Sequence, residues 1–273
     1  MSLITSNSVI EELSKSWKNC GINEGDTLLL HSDVRQLLMF YNYFSQPSNK
    51  KKKVILSVDN ILDSFFNAVG TEGTLIIPLF NFDFTNGIPF NLNTTISQMG
   101  VLTEVARKNT NYVRTKNPVY SFAIFGKNKD YFNSIKLETA IGKNSVFSKL
   151  MELDGKIGVL GLSDKNCMTF YHHIEEMHQV SYRISKKFTG KYIDIDGNAS
   201  IKTIYLYVRD LDNGFNSLLD PVGELMWEKG LYSGEHHNIG KGFRVISARL
   251  MYKFVSEIIN KNEAQGMLYT NKL

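Results

Sequence analysis

The chain has 273 residues, 42% hydrophobic and 21% charged, with a formal net charge of +4, the composition of a globular protein with a sizeable core. No stretch approaches the roughly 20 apolar residues of a membrane-spanning helix, and residues 1–7 lack the charged start and long apolar run of a secretory signal. Cys20 and Cys167 are the only cysteines, too few for a disulfide framework, so a reducing cytoplasm is the expected location.

Val9, Ile10, Leu13 and Trp17 recur at helical spacing and predict a helix over residues 6–20, stopped by Gly21. Thr27 to His31 is a short apolar run that suits a buried strand, ending in His31-Ser32-Asp33. The carboxyl ends of strands hold ligands in open α/β sheets, and Ser32 and Asp33 would also cap a helix from Val34 to Met39. The two roles are compatible. Lys50 to Lys53, after Gln46-Pro47-Ser48-Asn49, reads as a solvated loop. No zinc-ligand spacing or RNA-binding signature accompanies it, so no nucleic-acid partner is expected. Ser57 or Asp59 can cap a helix through Ala68 that Gly70 ends, and Thr74 to Pro78 is a second buried strand.

Residues 84–98 are rich in Asn, Thr, Gly and Pro and predict a loop. Met99 to Lys108 is helical in pattern, and Ser121 to Phe125 is a strand broken by Gly126. Asn144 or Ser145 opens a helix through Leu150, and Asp154-Gly155 turns into a strand ending at Leu160. A polar turn, Leu162 to Asn166, leads to a helix starting near Cys167. Ile204, Leu206 and Val208 alternate in a strand from Lys202 to Arg209, and residues 242–260 predict a final amphipathic helix. Strands alternating with helices imply a layered α/β fold with a mostly parallel central sheet. One domain is expected, with the segment beyond about residue 185 a candidate subdomain.

The densest chemistry lies between Cys167 and His178. A helix there sets His172 and Glu175 three residues apart, on neighbouring positions of one face. An imidazole held by a carboxylate can stay neutral and aimed at pH 7, ready to act as a base. His173, Glu176 and His178 crowd the same helix, so a purely structural role for the pair competes with a catalytic one. A His and a Glu at this spacing can also share an ion. No further ligand sits at suitable spacing nearby and His236-His237 is distant in sequence, so no metal is expected. Cys167 reads as a small packing residue beneath the strand rather than a thiolate nucleophile. The chain holds no Gly-x-Ser-x-Gly elbow, no Gly-x-Gly-x-x-Gly turn after the first strand and no phosphate-binding P-loop.

In order, the chain carries Gly25-Asp26 running to His31-Ser32, then Gly73-Thr74 running to Pro78. Thr95, Ser97, Met99-Gly100, Leu102, Glu104 and Arg107 follow at fixed spacing, then Arg114, Asn117-Pro118 and Ser121. Ser145, Leu153 to Lys156, and Thr169 with His172 and Glu175 complete the series. Together these blocks resemble the aminoglycoside 3-N-acetyltransferase family, the antibiotic N-acetyltransferase superfamily, over roughly residues 10–180 with a weaker echo from Gly240 to Val255. The resemblance implies that family's α/β/α fold and acyl transfer from acyl-coenzyme A to a sugar amine. By matching position, His172 would be the catalytic histidine and Glu175 its supporting carboxylate. His31, Ser32, Asp33, Ser121 and Ser145 would lie along the coenzyme, with Arg114 on phosphate charge. Asp83, Asn117, Tyr120, His236 and His237 would face the acceptor. Asn117 departs from the family, which has histidine before the proline.

A polycationic aminoglycoside would favour an acidic cleft, whereas this chain is net positive, which favours an anionic acceptor. Within the resemblance, the closest kind is the nucleotide-sugar N-acyltransferase. Such an enzyme acylates a dTDP-3-amino-3,6-dideoxyhexose, in some cases from 3-hydroxybutanoyl-coenzyme A, for surface-polysaccharide (lipopolysaccharide O-antigen) synthesis. The alternatives are an aminoglycoside 3-N-acetyltransferase and a non-catalytic homologue that binds coenzyme A or protein. The 13 Tyr and 17 Phe leave room for a homodimer.

Overall fold

The computed structural model describes residues 6–44, 55–167 and 169–271, so the Lys50 to Lys53 run and Met168 lie outside the described residues. Helix α1 (Ser6–Asn19) buries Val9, Leu13 and Trp17 along one face. Strand β1 (Thr27–Ser32) is closed in by protein on both sides, as its unbroken Leu28, Leu29, Leu30 run requires. Helix α2 (Arg35–Met39) runs on into one π-helical turn, Phe40–Phe44. Helix α3 (Val58–Val69) opens on a reciprocal cap: the Ser57 hydroxyl accepts from the Asn60 N–H, and the Asn60 side chain from the Ser57 N–H. Strand β2 (Thr74–Pro78), the two-residue β3 (Phe90–Asn91), α4 (Val101–Lys108), β4 (Val113–Arg114) and β5 (Phe122–Gly126) follow.

Next come α5 (Lys129–Asn133), α6 (Val146–Glu152), β6 (Lys156–Leu160), α7 (Asp164–Cys167) and α8 (Phe170–Met177). The long strands β7 (Arg183–Ile193) and β8 (Ala199–Arg209) form a hairpin, and β9 (Phe215–Ser217) leads to α9 (Asp220–Glu228). The chain ends with β10 (Ser233–Gly234), β11 (Phe243–Ser247), α10 (Ala248–Asn260) and β12 (Tyr269–Asn271).

Seven strands form the central sheet in the order β10-β11-β6-β1-β2-β5-β4. Its middle is parallel, with β1 between β6 and β2. The flanking β11 and β5 run antiparallel to that middle, while the outermost β10 and β4 return to its direction. Side chains alternate across the sheet. Leu28 and Leu30 enter the core shared with Val9, Leu13, Trp17, Ile61 and Phe65, on the side of α1 and α3. Leu29 enters the opposite core with Phe147, Phe170, Ile174 and Met251, on the side of α6, α8 and α10. This is the expected α/β/α layering. In the first core, Trp17 stacks on Phe65 with centroids 4.9 Å apart and donates its indole N–H to the Ser64 hydroxyl at 2.7 Å, so the ring is buried with its polar atom satisfied. Truncating Leu29 to alanine at the sheet centre would cost about 2–5 kcal/mol.

Three differences from the sequence expectations have clear causes. Residues 242–260 are not one helix, because Phe243 to Ile246 are buried and pair with β6 as a strand, and Ser247 caps α10 by accepting from the Leu250 N–H. The stretch before His172 is broken in two, α7 preceding α8, so the helix bearing His172 begins at Phe170. The loop of residues 84–98 contains β3, which is recruited by β7 into a second sheet of order β3-β7-β8. Beyond residue 185, β11 lies within the central sheet and α10 packs on α8 and α6. No helix among the described residues is long and apolar enough to cross a membrane.

Candidate active site

The carboxyl ends of β1, β2 and β6 converge on a small cavity of about 190 Å³, walled by His31, Ser32, Pro78, Phe80, Cys167 and His172. Gly161, just past β6, permits this closeness: its φ is +67°, and a Cβ there would stand 2.5 Å from the Asp33 carbonyl oxygen. His172 is carried by α8 and keeps 21% of its side chain exposed. Its Nδ1 lies 2.8 Å from Glu175 Oε2, one helical turn on. The Glu175 side chain is 1% exposed and also accepts from Arg183 Nε at 2.6 Å. Arg183 opens β7, and its guanidinium further donates to the Tyr207 carbonyl at 2.9 Å.

Arg183 Nη2 sits 2.6 Å from His172 Nδ1 and 3.2 Å from Nε2. A guanidinium cannot accept a hydrogen bond, so Nδ1 can satisfy only one of its two neighbours. We assign its proton to the Glu175 contact, because a lone pair turned on a buried carboxylate would leave both acceptors unsatisfied. Nε2 then carries the lone pair, which Arg183 Nη2 faces at 3.2 Å. Burial lowers the His172 pKa, Arg183 lowers it further, and the bond to Glu175 opposes both. A neutral imidazole with an available lone pair can take a proton from an adjacent ammonium group.

A wider cleft of about 570 Å³ opens beside the first cavity. Both contain Phe82, Tyr120, Lys165, His172 and Leu219, so His172 stands where the two meet. The β7–β8 hairpin walls the wider cleft with Ile184, Phe188, Leu206 and Val208. Lys165, Arg183, Lys186 and Arg209 line it against one carboxylate, Asp212. Since Arg183 is paired with Glu175, the remaining balance is still positive.

Other sequence-derived candidates are distributed differently. His31 and Ser32 line the small cavity, and Tyr120 lines both. His31 is 5% exposed, and its Nε2 has no hydrogen-bond partner among the described residues. Burial, then the nearby Arg244 charge, lower its pKa to about 4. Asp33 lies in neither cavity and binds Arg35, whose guanidinium holds its carboxyl below the usual range. Arg114 points inward: it is 7% exposed, and its Nη1 donates to the Thr95 carbonyl at 2.7 Å and the Leu92 carbonyl at 3.1 Å. Its guanidinium fastens a loop and has no free edge for a phosphate. Ser121 is buried and donates to the Leu79 carbonyl, and buried Ser145 caps α6.

Asn117 is also internal. Its Oδ1 accepts from the Val119 and Tyr120 N–H groups and its Nδ2 donates to the Leu137 carbonyl, so it shapes the turn that presents Tyr120. Asp83 accepts from the Asn81 and Gln98 side chains and holds the loop beside Phe82. His236 and His237 line neither cavity that reaches His172; His236 is held against Glu224 and Trp227. Cys167 lines the small cavity, but burial raises its thiol pKa, which keeps it protonated and poorly nucleophilic.

The profile of the aminoglycoside 3-N-acetyltransferase family matches residues 48–260. The chain belongs to that family. Membership makes it an acyl-coenzyme A-dependent N-acyltransferase. A search of the curated proteins finds no match. Among solved structures, this acyltransferase is similar to AAC-IIIb in a binary complex with CoASH, at 17% identity and a TM-score of 0.76, over 96% of this chain and 98% of that one. It is similar to the aminoglycoside acetyltransferase AAC(3)-Xa at 18% identity and a TM-score of 0.74, over 92% of each chain. The YokD protein from Bacillus subtilis matches at 19% identity and a TM-score of 0.72, over 93% of this chain and 99% of that one. At such identities the likeness establishes the shared fold.

In this acyltransferase, the residues that local sequence patterns left out are Arg183, Lys165, Lys186 and Arg209. A usable signal existed for the hairpin: Ile184, Lys186, Phe188 and Tyr192 share one face of β7 at period two. Nothing local marks Arg183 as the partner of Glu175.

Proposed function

We propose that this acyltransferase moves an acyl group, acetyl or 3-hydroxybutanoyl, from acyl-coenzyme A to the amino group of a nucleotide-linked amino sugar. A dTDP-3-amino-3,6-dideoxyhexose destined for surface polysaccharide such as lipopolysaccharide O-antigen is the specific acceptor in this reading. The supporting observation is the charge of the wider cleft, where Lys165, Lys186 and Arg209 oppose the single carboxylate Asp212. A diphosphate-bearing sugar is attracted to such a wall, whereas an aminoglycoside with several ammonium groups is repelled. The reaction is placed in the cytoplasm, in keeping with two free cysteines.

His172 and Glu175 are the proposed catalytic residues. Nε2 of the neutral imidazole removes a proton from the substrate ammonium, and the amine lone pair attacks the thioester carbonyl. Glu175 accepts from Nδ1–H and stabilises the imidazolium that forms. The tetrahedral intermediate gives up the second surplus proton of its nitrogen to solvent and collapses with loss of the coenzyme thiolate, which takes the first proton from the imidazolium. General-base help of this kind contributes typically about 10²–10⁴ in rate. The narrow, largely apolar cavity lined by His31 and Ser32 suits the thioester arm, and the wide basic cleft with Tyr120 suits the sugar nucleotide. No metal takes part in these steps.

Acylation of an aminoglycoside is the second reading, favoured by the description of the family. Steady-state assays with both acyl donors against a dTDP-linked amino sugar, kanamycin and gentamicin separate the two. Higher kcat/KM for the nucleotide sugar supports the first reading. Efficient acylation of kanamycin or gentamicin with no turnover of the nucleotide sugar reverses the order, and no turnover of any amine leaves a coenzyme-binding homologue.

A further inference from the structure

We propose that Glu224, His236 and His237 form a zinc(II) site outside the reaction cleft, tying the loop between β10 and β11 to helix α9. Two imidazoles and a carboxylate offer one ligand atom each within 4.8 Å of one another, the sole such trio of His, Cys, Asp or Glu among the described residues. His236 Nε2 lies 3.1 and 3.3 Å from the two Glu224 carboxylate oxygens. Tetrahedral zinc with bonds of about 2.0–2.1 Å needs ligand atoms roughly 3.3 Å apart. Binding would draw the three ligand atoms together from within 4.8 Å to about that spacing.

The loop is already arranged for this. Successive side chains in extended backbone point to opposite faces, yet the His236 and His237 rings lie together, with centroids 4.3 Å apart. Two turns produce that arrangement: the Ile239 N–H donates to the His236 carbonyl at 2.8 Å, and the Gly242 N–H to the Ile239 carbonyl at 2.9 Å. Glu235 closes the loop, its Oε2 accepting from the Lys241 N–H at 2.5 Å and the Gly242 N–H at 3.2 Å. The Trp227 ring, one turn beyond Glu224 on α9, packs against His236 at 5.6 Å and limits its rotation. Ligands held this way lose little conformational freedom when the ion arrives.

The donor set decides the ion. Two nitrogens and one oxygen suit zinc and neighbouring late transition metals; calcium and magnesium prefer all-oxygen cages. Water would complete the tetrahedron. The site's role is mechanical: Leu219, immediately before α9, walls both cavities at His172, and Asp220 accepts from the Lys165 N–H at 2.8 Å. Fixing α9 to the loop therefore steadies one wall of the cleft without touching the reacting atoms.

The test uses the full chain after removal of metal by chelation and dialysis. Titration with ZnCl₂ by calorimetry should give saturable binding of one equivalent, and Co²⁺ should produce visible d–d bands and quench Trp227 fluorescence. Glu224→Gln, an exposed and nearly isosteric change, and the double variant His236→Ala/His237→Ala should each weaken zinc binding by at least about 100-fold, above the loss typical of an outer-shell change. His172→Ala should bind zinc as the parent does. Absence of saturable binding, undiminished affinity in Glu224→Gln or in the double variant, or loss of binding in His172→Ala overturns the proposal.

Discussion

Replacing Arg183 with methionine tests the arrangement at its most sensitive point. The Arg183 and Glu175 side chains are 4% and 1% exposed and meet at 2.6 Å. Methionine fills similar space but leaves Glu175 as a buried carboxylate with His172 as its remaining hydrogen-bonded partner. Breaking a buried pair from one side costs about 3–5 kcal/mol, because the surviving charge loses its countercharge with no water to replace it. For a chain of this size that corresponds to a fall in Tm of roughly 6–20 °C. The same change acts on the proposed base. Arg183 lowers the His172 pKa and Glu175 raises it, so removing the guanidinium moves the pKa up. The acid limb of the kcat/KM profile should shift to higher pH. Removing the stranded charge as well, in Arg183→Met/Glu175→Gln, should recover part of the lost stability while activity stays low. Calorimetric melting and pH–rate profiles for the three proteins decide the matter. A single variant that melts like the parent, or a double variant no more stable than the single, refutes the claim that this ion pair holds the site together.

Three further outcomes are expected. His172→Gln should lower kcat by about 10²–10⁴ with the melting temperature nearly unchanged, measured as release of coenzyme A thiol with the preferred amine; unchanged release removes His172 as the base. Arg209→Glu should raise KM for a dTDP-linked amino sugar about 10- to 30-fold, the effect of roughly 1.4–2 kcal/mol of lost attraction across a solvated cleft. Added salt should shrink that difference; equal KM values at low salt would show that Arg209 does not see the acceptor. Stability should fall as pH drops from 6.5 towards 4, because His31 and His173 are both lowered from 6.5 to about 4 by burial. Unfolded histidine takes up its proton within that window while the buried rings stay neutral, so the unfolded state binds more protons and each ring contributes up to roughly 3 kcal/mol to the loss. Urea titrations at pH 7 and pH 4.5 read this directly, and equal midpoints contradict it.

The parts legible in the chain were those decided by neighbours in sequence. His172 and Glu175 meet because a helix sets residues three apart side by side, and β1, β2 and β6 are unbroken apolar runs that no surface position would tolerate. Ser57 and Ser145 cap their helices through local hydrogen bonds. What escaped depended on contacts between distant segments. Phe243 to Ile246 continue the apolar pattern of the helix behind them, and the edge offered by β6 makes them a strand. Arg114 carries the right group for a phosphate, yet its burial among the Leu92 and Thr95 carbonyls commits it elsewhere. Asn117, in the place of the family's histidine, is explained by the same accounting, since its amide satisfies two N–H groups and one carbonyl that would otherwise be buried unpaired.

The site divides its labour between two supports. Helix α8 carries His172 and Glu175 against the central sheet, where Phe170 and Ile174 are fully buried and anchor it. The β7–β8 hairpin, resting on the 3₁₀ turn after Phe82 (its Gly190 would place a Cβ 2.9 Å from the Phe84 ring), carries Lys186 and Arg209. Substitutions on the hairpin face should therefore alter the proposed acceptor wall while His172, the proposed base, keeps its seat on α8. Arg183 is the exception, because it opens the hairpin strand and closes the ion pair with Glu175 at once. A displaced hairpin would withdraw a charge that, after burial, lowers the His172 pKa, so the proposed acceptor wall and the proposed base are coupled through one guanidinium.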